Sequence, residues 1–380
     1  MVVGTQTAVF FATFTKPDGF HPVQIKTEPL RYIQIGTGGF GAVWCSVFLP
    51  RLAEIGRAVA VAAVDLNPAH LQQARDHLKL PAERCYTDIR RALAENPADF
   101  AIIVIPPASH EEAVDLCLAH GLHILSEKPI ADSMEACCRI YRKVTVSGRK
   151  MAVTMTHRFD QDKQSLERLI HSGEYGRLDY LTGYTTWAWR AFPDWGAFRY
   201  SIPDPLLVES TVHQFDIIRA LARANARTIY ARTWNPPWSE YKGHSQGLFI
   251  LEMENGVHVS YESAKSNATE LTASGHWRAE CDRATLELDH RRLKVIRGHV
   301  DHDLTIEEKP LLHQPAWTNS WLAEMFCDWL QGRRDNHPTA VADNLQCAAL
   351  LFAAVESAHS GQPVAVQEFL QRHLNHANQA

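Results

Sequence analysis

Four sets of residues in this sequence combine suitable side chains with spacings that can do chemistry. The first is the run L-R-Y-I-Q-I-G-T-G-G-F-G from Leu30 to Gly41, a strand-like stretch that feeds Gly36-x-Gly38-x-x-Gly41 and then a helical pattern. In that context Gly36 permits a tight turn and Gly38 lets the backbone approach a pyrophosphate. Gly41 lets the helix pack closely on the strand, with its N-terminus aimed at the phosphates. The second is Asp65, at the end of the next strand-like run, where a carboxylate accepts hydrogen bonds from an adenosine ribose diol. Leu66-Asn67-Pro68-Ala69 offers no Arg or Lys for a 2′-phosphate, which favours NAD over NADP. A plain helix-capping role for Asp65 is the alternative.

The third set is Pro106, Pro107 and His110 after one strand-like run, with Glu127-Lys128-Pro129 after the next. Both lie at carboxyl ends of parallel strands, where open α/β sheets bind ligands. Lys128, followed by a proline that blocks further sheet pairing, is placed to send its ammonium into a cofactor cleft; a surface loop lysine is the alternative. The fourth set is Glu209, His213 and Asp216, which at i, i+4 and i+7 share one face of a helix. Imidazole titrates near neutral pH, so His213 can take a hydroxyl proton, and a neighbouring carboxylate would orient the ring and favour its protonated form. A capping Glu and a satisfied helix histidine are the alternative reading.

Aromatic residues crowd the second half: Tyr184, Trp187, Trp189, Phe192, Trp195, Phe198 and Tyr200, then Trp234, Trp238 and Tyr241. Sugar rings stack on aromatic planes, so a carbohydrate pocket using one or two residues of the Phe192–Tyr200 loop, Trp195 among them, is one expectation. Trp187 and Trp189 project from one side of a strand, which equally describes a sheet face buried against another subunit or the core.

These side chains need elements to position them. Between residues 30 and 155 short apolar runs alternate with helical patterns, the mark of βαβ units around a parallel sheet. Strands are predicted at Leu30–Gly36, Ala58–Asp65, Phe100–Ile105, His123–Ser126 and Met151–Thr156. Helices are predicted at Gly39–Ile55, Pro68–Lys79, Asp88–Glu95, Ser109–His120 and Ser133–Ser147, with good starts at Asn67-Pro68 and Asp132-Ser133 and good stops at Gly121 and Gly148. After residue 156 strands follow one another, at Leu178–Trp189, Arg227–Trp234, Leu248–Glu254, Val257–Ser263, Ala284–Asp289 and Arg292–Arg297. Asn255-Gly256 is a hairpin signal between two of them. Helices at Gln164–His171, Thr211–Arg223, Ser320–Gln331 and Asn344–His359 complete the pattern. The fold class is therefore α/β: an N-terminal Rossmann dinucleotide-binding domain (30–155), then an α+β domain with a large, mostly antiparallel open sheet (156–380), preceded by an arm (1–29).

Length and composition narrow the function. With 380 residues and 46% hydrophobic side chains, each of two domains can bury a core. A formal charge of −5 without a long basic run argues against a nucleic-acid partner. No stretch approaches the roughly 20 apolar residues of a membrane span, and the first 30 residues lack a signal-peptide pattern, so a soluble, cytoplasmic protein is expected. The eight cysteines form no C-x-x-C pair, which fits reduced thiols, and no H-E-x-x-H or zinc-spaced cluster points to a metal.

Taken in order, Gly36/Gly38/Gly41, Pro106-Pro107-x-x-His110, Glu127-Lys128-Pro129, His157-Arg158-Phe159-Asp160, His213-x-x-Asp216 and the ending Ser357–Val364 resemble the glucose-fructose oxidoreductase / inositol dehydrogenase family of nicotinamide-dependent enzymes, over roughly residues 30–368. The resemblance implies that Lys128 contacts the nicotinamide ribose and the reacting oxygen, that His213 is the acid/base, and that the residue four before it is a catalytic-site Asp. Here that residue is Glu209. Asp204-Pro205-Leu206-Leu207 also departs from a glycine-rich run common in relatives, and Thr211 replaces a frequent Gly.

The expected activity is NAD-dependent oxidation of a sugar, cyclitol or related polyol, with Lys128, His213 and Glu209 catalytic. The cofactor site is expected at Gly36, Gly38, Gly39, Phe40, Gly41, Asp65, Pro106, Pro107, His110, Glu127 and Lys128. The substrate site is expected at Lys128, Arg158, Glu209, His213, Asp216 and Trp195. A homodimer or homotetramer through the C-terminal sheet is implied as well. A glycosidase that uses bound NAD in a transient redox cycle, or a non-catalytic NAD-binding regulator, would use the same landmarks.

Overall fold

The structure is a computed structural model that describes residues 28–190, 199, 202–270, 272–313 and 318–377. Nearly all of the expected N-terminal arm, and Trp195 with the rest of the Phe192–Tyr200 loop except Arg199, lie outside the described residues.

The first half folds around six parallel strands: β1 (Leu30–Ile35), β2 (Ala58–Val64), β3 (Cys85–Tyr86), β4 (Phe100–Ile103), β5 (His123–Ser126) and β6 (Met151–Val153). Their order, β3-β2-β1-β4-β5-β6, puts the chain's first strand at the centre and creates a switch point beside it. β4 is buried at every residue, because helices cover both faces of a parallel sheet. The helix starts follow local chemistry: the Asn67 side chain accepts from Ala69 N–H with Pro68 in the first turn, and the Ser133 hydroxyl accepts from Ala136 N–H. The helix after the glycine run is continuous from Phe40 to Glu54, but its middle turn, Trp44–Phe48, is π-helical.

Elements of the second half pack across the division near residue 155. The helix Thr318–Leu330 returns to the first sheet, where Ala323, Phe326 and Cys327 pack with Tyr32, Trp44 and Phe100. The Phe100 ring meets Phe326 edge-on with centroids 5.6 Å apart and lies 5.5 Å from the Tyr32 ring. A buried ring of this kind is worth roughly 3–5 kcal/mol against truncation, so the dinucleotide half borrows part of its core from the second half.

The second half carries nine strands: β7 (Leu178–Thr186), β8 (Ala226–Trp234), β9 (Gln246–Met253), β10 (His258–Ala264), β11 (Thr272–Cys281), β12 (Ala284–Asp289), β13 (Arg292–Arg297), β14 (Thr305–Lys309) and β15 (Val364–Ala365). They run in the order β14-β13-β12-β11-β7-β10-β9-β8-β15, antiparallel throughout except for the β7–β10 pair. The predicted hairpin joins β9 to β10, with Gly256 at φ +86°. Sequence patterning missed β3, β11, β14 and β15. In β11, Gly275 at φ +86° accompanies a register shift between Thr272 and His276 that breaks the alternation a strand normally shows.

Alternation along β8 and β9 buries Ile229, Ala231, Phe249 and Leu251 and leaves Tyr230, Trp234, Leu248 and Ile250 on the outer face, with Ile250 62% exposed. Trp187 is not on that face. It is 8% exposed and stacks on half-buried Trp189 at 5.7 Å, so Trp187 is buried within the chain itself, as the core reading of this pair expects. All eight cysteines are free, and among the described residues no helix is long and apolar enough to cross a membrane.

Candidate active site

The glycine run makes the turn its composition requires. Gly36 has φ +86°, and a Cβ there would lie 2.0 Å from the Val104 carbonyl oxygen, so only glycine fits between β1 and β4. A Cβ on Gly41 would lie 2.5 Å from the Gly36 carbonyl oxygen, which is the close helix-on-strand packing expected of the third glycine. Gly38 differs in detail: the space its Cβ would fill is taken by the His70 ring, 2.2 Å away.

Asp65 ends β2 and faces this loop. Its Oδ2 accepts from the backbone N–H of Thr37 (2.8 Å) and Gly38 (2.9 Å) and from the Thr37 hydroxyl (3.2 Å). Its Oδ1 accepts from Asn67 N–H at 2.9 Å and lies 3.1 Å from His70 Nδ1. Burial opposes ionisation here, but the bonds from Thr37, Asn67, His70 and Gly38 outweigh it and hold the carboxyl below its ordinary value. Asp65 therefore ties the glycine loop to the end of β2 while keeping a negative charge in the cavity wall. The helix-capping alternative does not apply, since Asn67 caps the helix that follows.

Together these residues line a cavity of about 780 Å³, whose wall includes Gly36, Gly38, Gly39, Phe40, Gly41, Asp65, Pro106, Pro107, Glu127, Lys128, Arg199 and Glu209. A turn closed to any Cβ, a helix N-terminus beside it and an ionised carboxylate at the end of β2 fit a dinucleotide with two free ribose hydroxyls. Arg90, which sequence reasoning missed, also lines the cavity; its guanidinium pairs with Glu112 at 3.1 Å.

His110 is a correction. It is fully buried, with Nε2 2.9 Å from the Ile105 carbonyl and Nδ1 3.1 Å from those of Pro129 and Ile130. Rather than meeting a cofactor, it pins the two cavity loops to each other, and burial lowers its pKa. Glu127 combines both duties: it lines the cavity, accepts from Trp44 Nε1 (2.8 Å) and Asn319 Nδ2 (3.2 Å), and so clamps the glycine-loop helix to the returning helix.

Lys128 lines this cavity with little exposure. Its ammonium donates to the Glu209 carbonyl at 3.1 Å and lies 3.5 Å from Glu209 Oε2. Burial and the nearby Arg199 lower its pKa to about 8, against the opposing charge of Glu127. Glu209 belongs to a π-helical turn, Leu207–Thr211, that runs into the helix Val212–Ala222. Its carboxylate is shared by Lys128 and Arg199. The Thr211 hydroxyl bonds the Ser263 hydroxyl at 3.0 Å and fixes this turn to β10.

His213 opens the helix that follows. No carboxylate orients it: its Nδ1 is buried without a hydrogen-bond partner among the described residues, and the His157 ring packs edge-on at 4.5 Å. Burial, then the charges of His157, Lys128 and Lys265, hold its pKa well below the ordinary value. The ring is a neutral imidazole at physiological pH, contrary to the protonated form expected beside a carboxylate.

Arg158 and Asp216 are set apart from this cavity. Arg158 Nε lies 3.4 Å from Asp216 Oδ2 and its Nη2 donates to Asp343 at 3.2 Å, while Arg219 reaches the same two carboxylates at 3.7 and 3.0 Å. Burial pushes the Asp216 carboxyl up to about 6 against the pull of Arg158 and Arg219. This four-residue ion cluster anchors the helix that carries His213 to the helix Val341–Ser360, so the substrate contacts expected of Arg158 and Asp216 are replaced by a positioning arrangement. Lys265, buried just after β10, is electrostatically coupled to His213, Lys128 and Arg199, and no local pattern marked it.

Residues 30–155 match the model of the oxidoreductase family with an NAD-binding Rossmann fold, and residues 164–287 match the GFO/IDH/MocA C-terminal domain. An uncharacterised protein of Sinorhizobium fredii is 43% identical over 352 residues, covering 90% of this chain and 97% of that one. Inositol 2-dehydrogenase of Corynebacterium glutamicum (strain R) is 28% identical over 238 residues, covering 62% of this chain and 67% of its own. An Agrobacterium radiobacter oxidoreductase, solved in complex with NAD+, L-tartaric acid and magnesium, superposes with a TM-score of 0.76 at 22% identity, covering 89% of this chain and 99% of that one, and shows the same fold. With both domain models matched in order across more than half its length, the chain belongs to the GFO/IDH/MocA oxidoreductases, the enzymes whose N-terminal domain is an NAD-binding Rossmann fold.

Proposed function

We propose that this protein oxidises a hydroxyl of a sugar, cyclitol or related polyol, with His213 as the base and Lys128 as the electrostatic partner of the reacting oxygen. The observation that carries this reading is the Lys128 ammonium in the wall of the cofactor cavity with the half-buried His213 imidazole near enough for the two charges to act on one another. NAD, when bound along the glycine loop, supplies the hydride acceptor. His213 takes the hydroxyl proton, which a neutral ring can do without first losing one of its own. Lys128 holds the oxygen as negative charge develops on it, in a site where little water competes. Glu209 fixes Lys128 through its carbonyl and carboxylate, which makes it a positioning residue for the ammonium rather than a partner of His213. The inositol 2-dehydrogenase relatives support the substrate class. A homodimer or homotetramer through the outer face of the second sheet would cover Tyr230, Trp234, Leu248 and Ile250.

The test is His213→Ala, assayed with NAD and a panel of polyols. kcat is expected to fall roughly 10²–10⁴-fold while NAD affinity stays near wild type. Retention of more than about half the rate would mean that the ring does not act on substrate. Cleavage of a glycoside without accumulating NADH would replace the dehydrogenase reading with a redox glycosidase.

A further inference from the structure

We propose that His70 competes with the adenosine ribose for Asp65, so that NAD binds by displacing this ring. The inference goes beyond the polyol reading and rests on the cofactor cavity alone, so its failure would leave the assignments of Lys128 and His213 untouched.

His70 stands in the first turn of the helix that follows β2, and it lines the cofactor cavity. Its hydrogen bonds can be followed atom by atom. Asn67 Oδ1 accepts from Ala69 N–H at 3.0 Å, which leaves the amide Nδ2 facing His70 Nε2 at 3.2 Å. An amide nitrogen only donates, so Nε2 accepts, and this network assigns the ring proton to Nδ1. Nδ1 donates in turn to Asp65 Oδ1 at 3.1 Å.

That bond completes a full set on Asp65. Asn67 N–H is also on Oδ1, and the Thr37 N–H, Gly38 N–H and Thr37 hydroxyl are on Oδ2. These donors, with His70, already exceed the roughly four lone-pair directions of a carboxylate, and a ribose diol brings further hydroxyls that need acceptors there. Something must yield. The backbone N–H groups are held by the turn and the helix start, and Thr37 is buried; rotating its hydroxyl hydrogen away relieves a single direction. The His70 side chain is 43% exposed, and a rotamer change, fast for an exposed side chain, takes the ring off Asp65 without moving backbone.

The second observation is steric. A Cβ on Gly38 would lie 2.2 Å from His70 Nδ1 and 2.4 Å from its Cε1. A glycine at this place in the motif keeps one face of the backbone clear for the pyrophosphate, and here the ring covers that face. One side chain therefore stands both at the ribose acceptor and on the approach to the glycine loop, and a single movement clears both. Each binding event gives up the His70–Asp65 bond, which weakens the hold on the cofactor. Such a hold suits a cofactor that leaves after each turnover rather than one retained for a redox cycle.

The experiment is calorimetric titration of the full chain with NAD and with ADP-ribose, which lacks the nicotinamide, in wild type and His70→Ala. Alanine is a good helix former at this position, and circular dichroism checks that the variant folds. Both ligands are expected to bind the variant roughly 10- to 100-fold more tightly, the range of a hydrogen bond to a charged group that no longer has to be broken. Tightening of both beyond about threefold supports the proposal; a smaller change overturns it, as does weakening, the sign of a ring that contacts the cofactor. Tightening of NAD without ADP-ribose overturns it too, because the effect would then lie at the nicotinamide end. A second measurement uses wild-type protein isotope-labelled at histidine Cε1, with the His70 signal identified by its absence in His70→Gln. That signal should shift when ADP-ribose is added, and a signal that stays in place overturns the proposal whatever the affinities do.

Discussion

The alkaline side of the pH profile is a direct readout of Lys128. With its pKa lowered to about 8 by burial and Arg199, the ammonium is lost as pH rises through that value, and its stabilisation of the reacting oxygen is lost with it. About nine-tenths of the groups are charged at pH 7, half at pH 8 and a tenth at pH 9, so kcat/KM should fall about tenfold between pH 7 and 9 and about tenfold per unit beyond. The acidic side behaves differently. His213 acts as a base in its neutral form, and its pKa lies well below the ordinary histidine value, so kcat/KM should level off below about pH 7 and hold down to about pH 6.5. The assay is initial-rate NADH formation across that range at constant ionic strength, with a substrate from the polyol panel. Lys128→Arg separates this cause from others. Arginine stays ionised, so the alkaline fall should disappear while the rate at pH 7 drops, because a planar guanidinium cannot repeat the 3.1 Å ammonium bond to the Glu209 carbonyl. A wild-type profile flat to about pH 10, or an alkaline fall unchanged in Lys128→Arg, would refute the assignment.

Two further outcomes are expected. NADH should bind at least about tenfold more tightly than NADPH in a fluorescence titration, because the ionised Asp65 repels a 2′-phosphate. Asp65→Ala should narrow that preference and weaken both cofactors, since the Thr37 and Gly38 N–H groups lose their acceptor; equal wild-type affinities would sink the argument. Light scattering at micromolar concentration should report an oligomer that Leu248→Glu with Ile250→Glu shifts toward monomer, and a wild-type monomer would show that the outer sheet face serves no self-association.

The parts of this protein that were legible in the sequence are those whose constraints are local. Gly36 and Gly41 are required by backbone contacts within a few residues or with the adjoining strand, and the motif states that requirement in its spacing. Asn67-Pro68 and Ser133 start helices because a cap is satisfied inside one turn. His110 shows the limit of such reasoning. Its place in a motif pointed toward the cofactor, but its two ring nitrogens meet backbone carbonyls from loops 5 and 19–20 residues away, which no local pattern records.

Helical spacing failed for a specific physical reason. Placing Glu209, His213 and Asp216 on one face assumed α-helical rotation throughout, whereas Leu207–Thr211 is a π turn that changes the register just before the helix begins. π turns of this kind recur at functional sites because the extra residue re-aims side chains. Here the carboxylate of Glu209 goes to Lys128 and Arg199, Asp216 goes to Arg158 and Arg219, and His213 is left with cations as its charged neighbours. The same placement that removes a carboxylate partner from the imidazole makes it a neutral base. Lys265 adds to that environment from just beyond β10, a strand brought beside this turn by its pairing with its neighbours and by the Thr211–Ser263 bond. The electrostatics that set the chemistry are therefore a property of the second sheet's topology, and the residues that tune His213 could be found only after the strands had been placed.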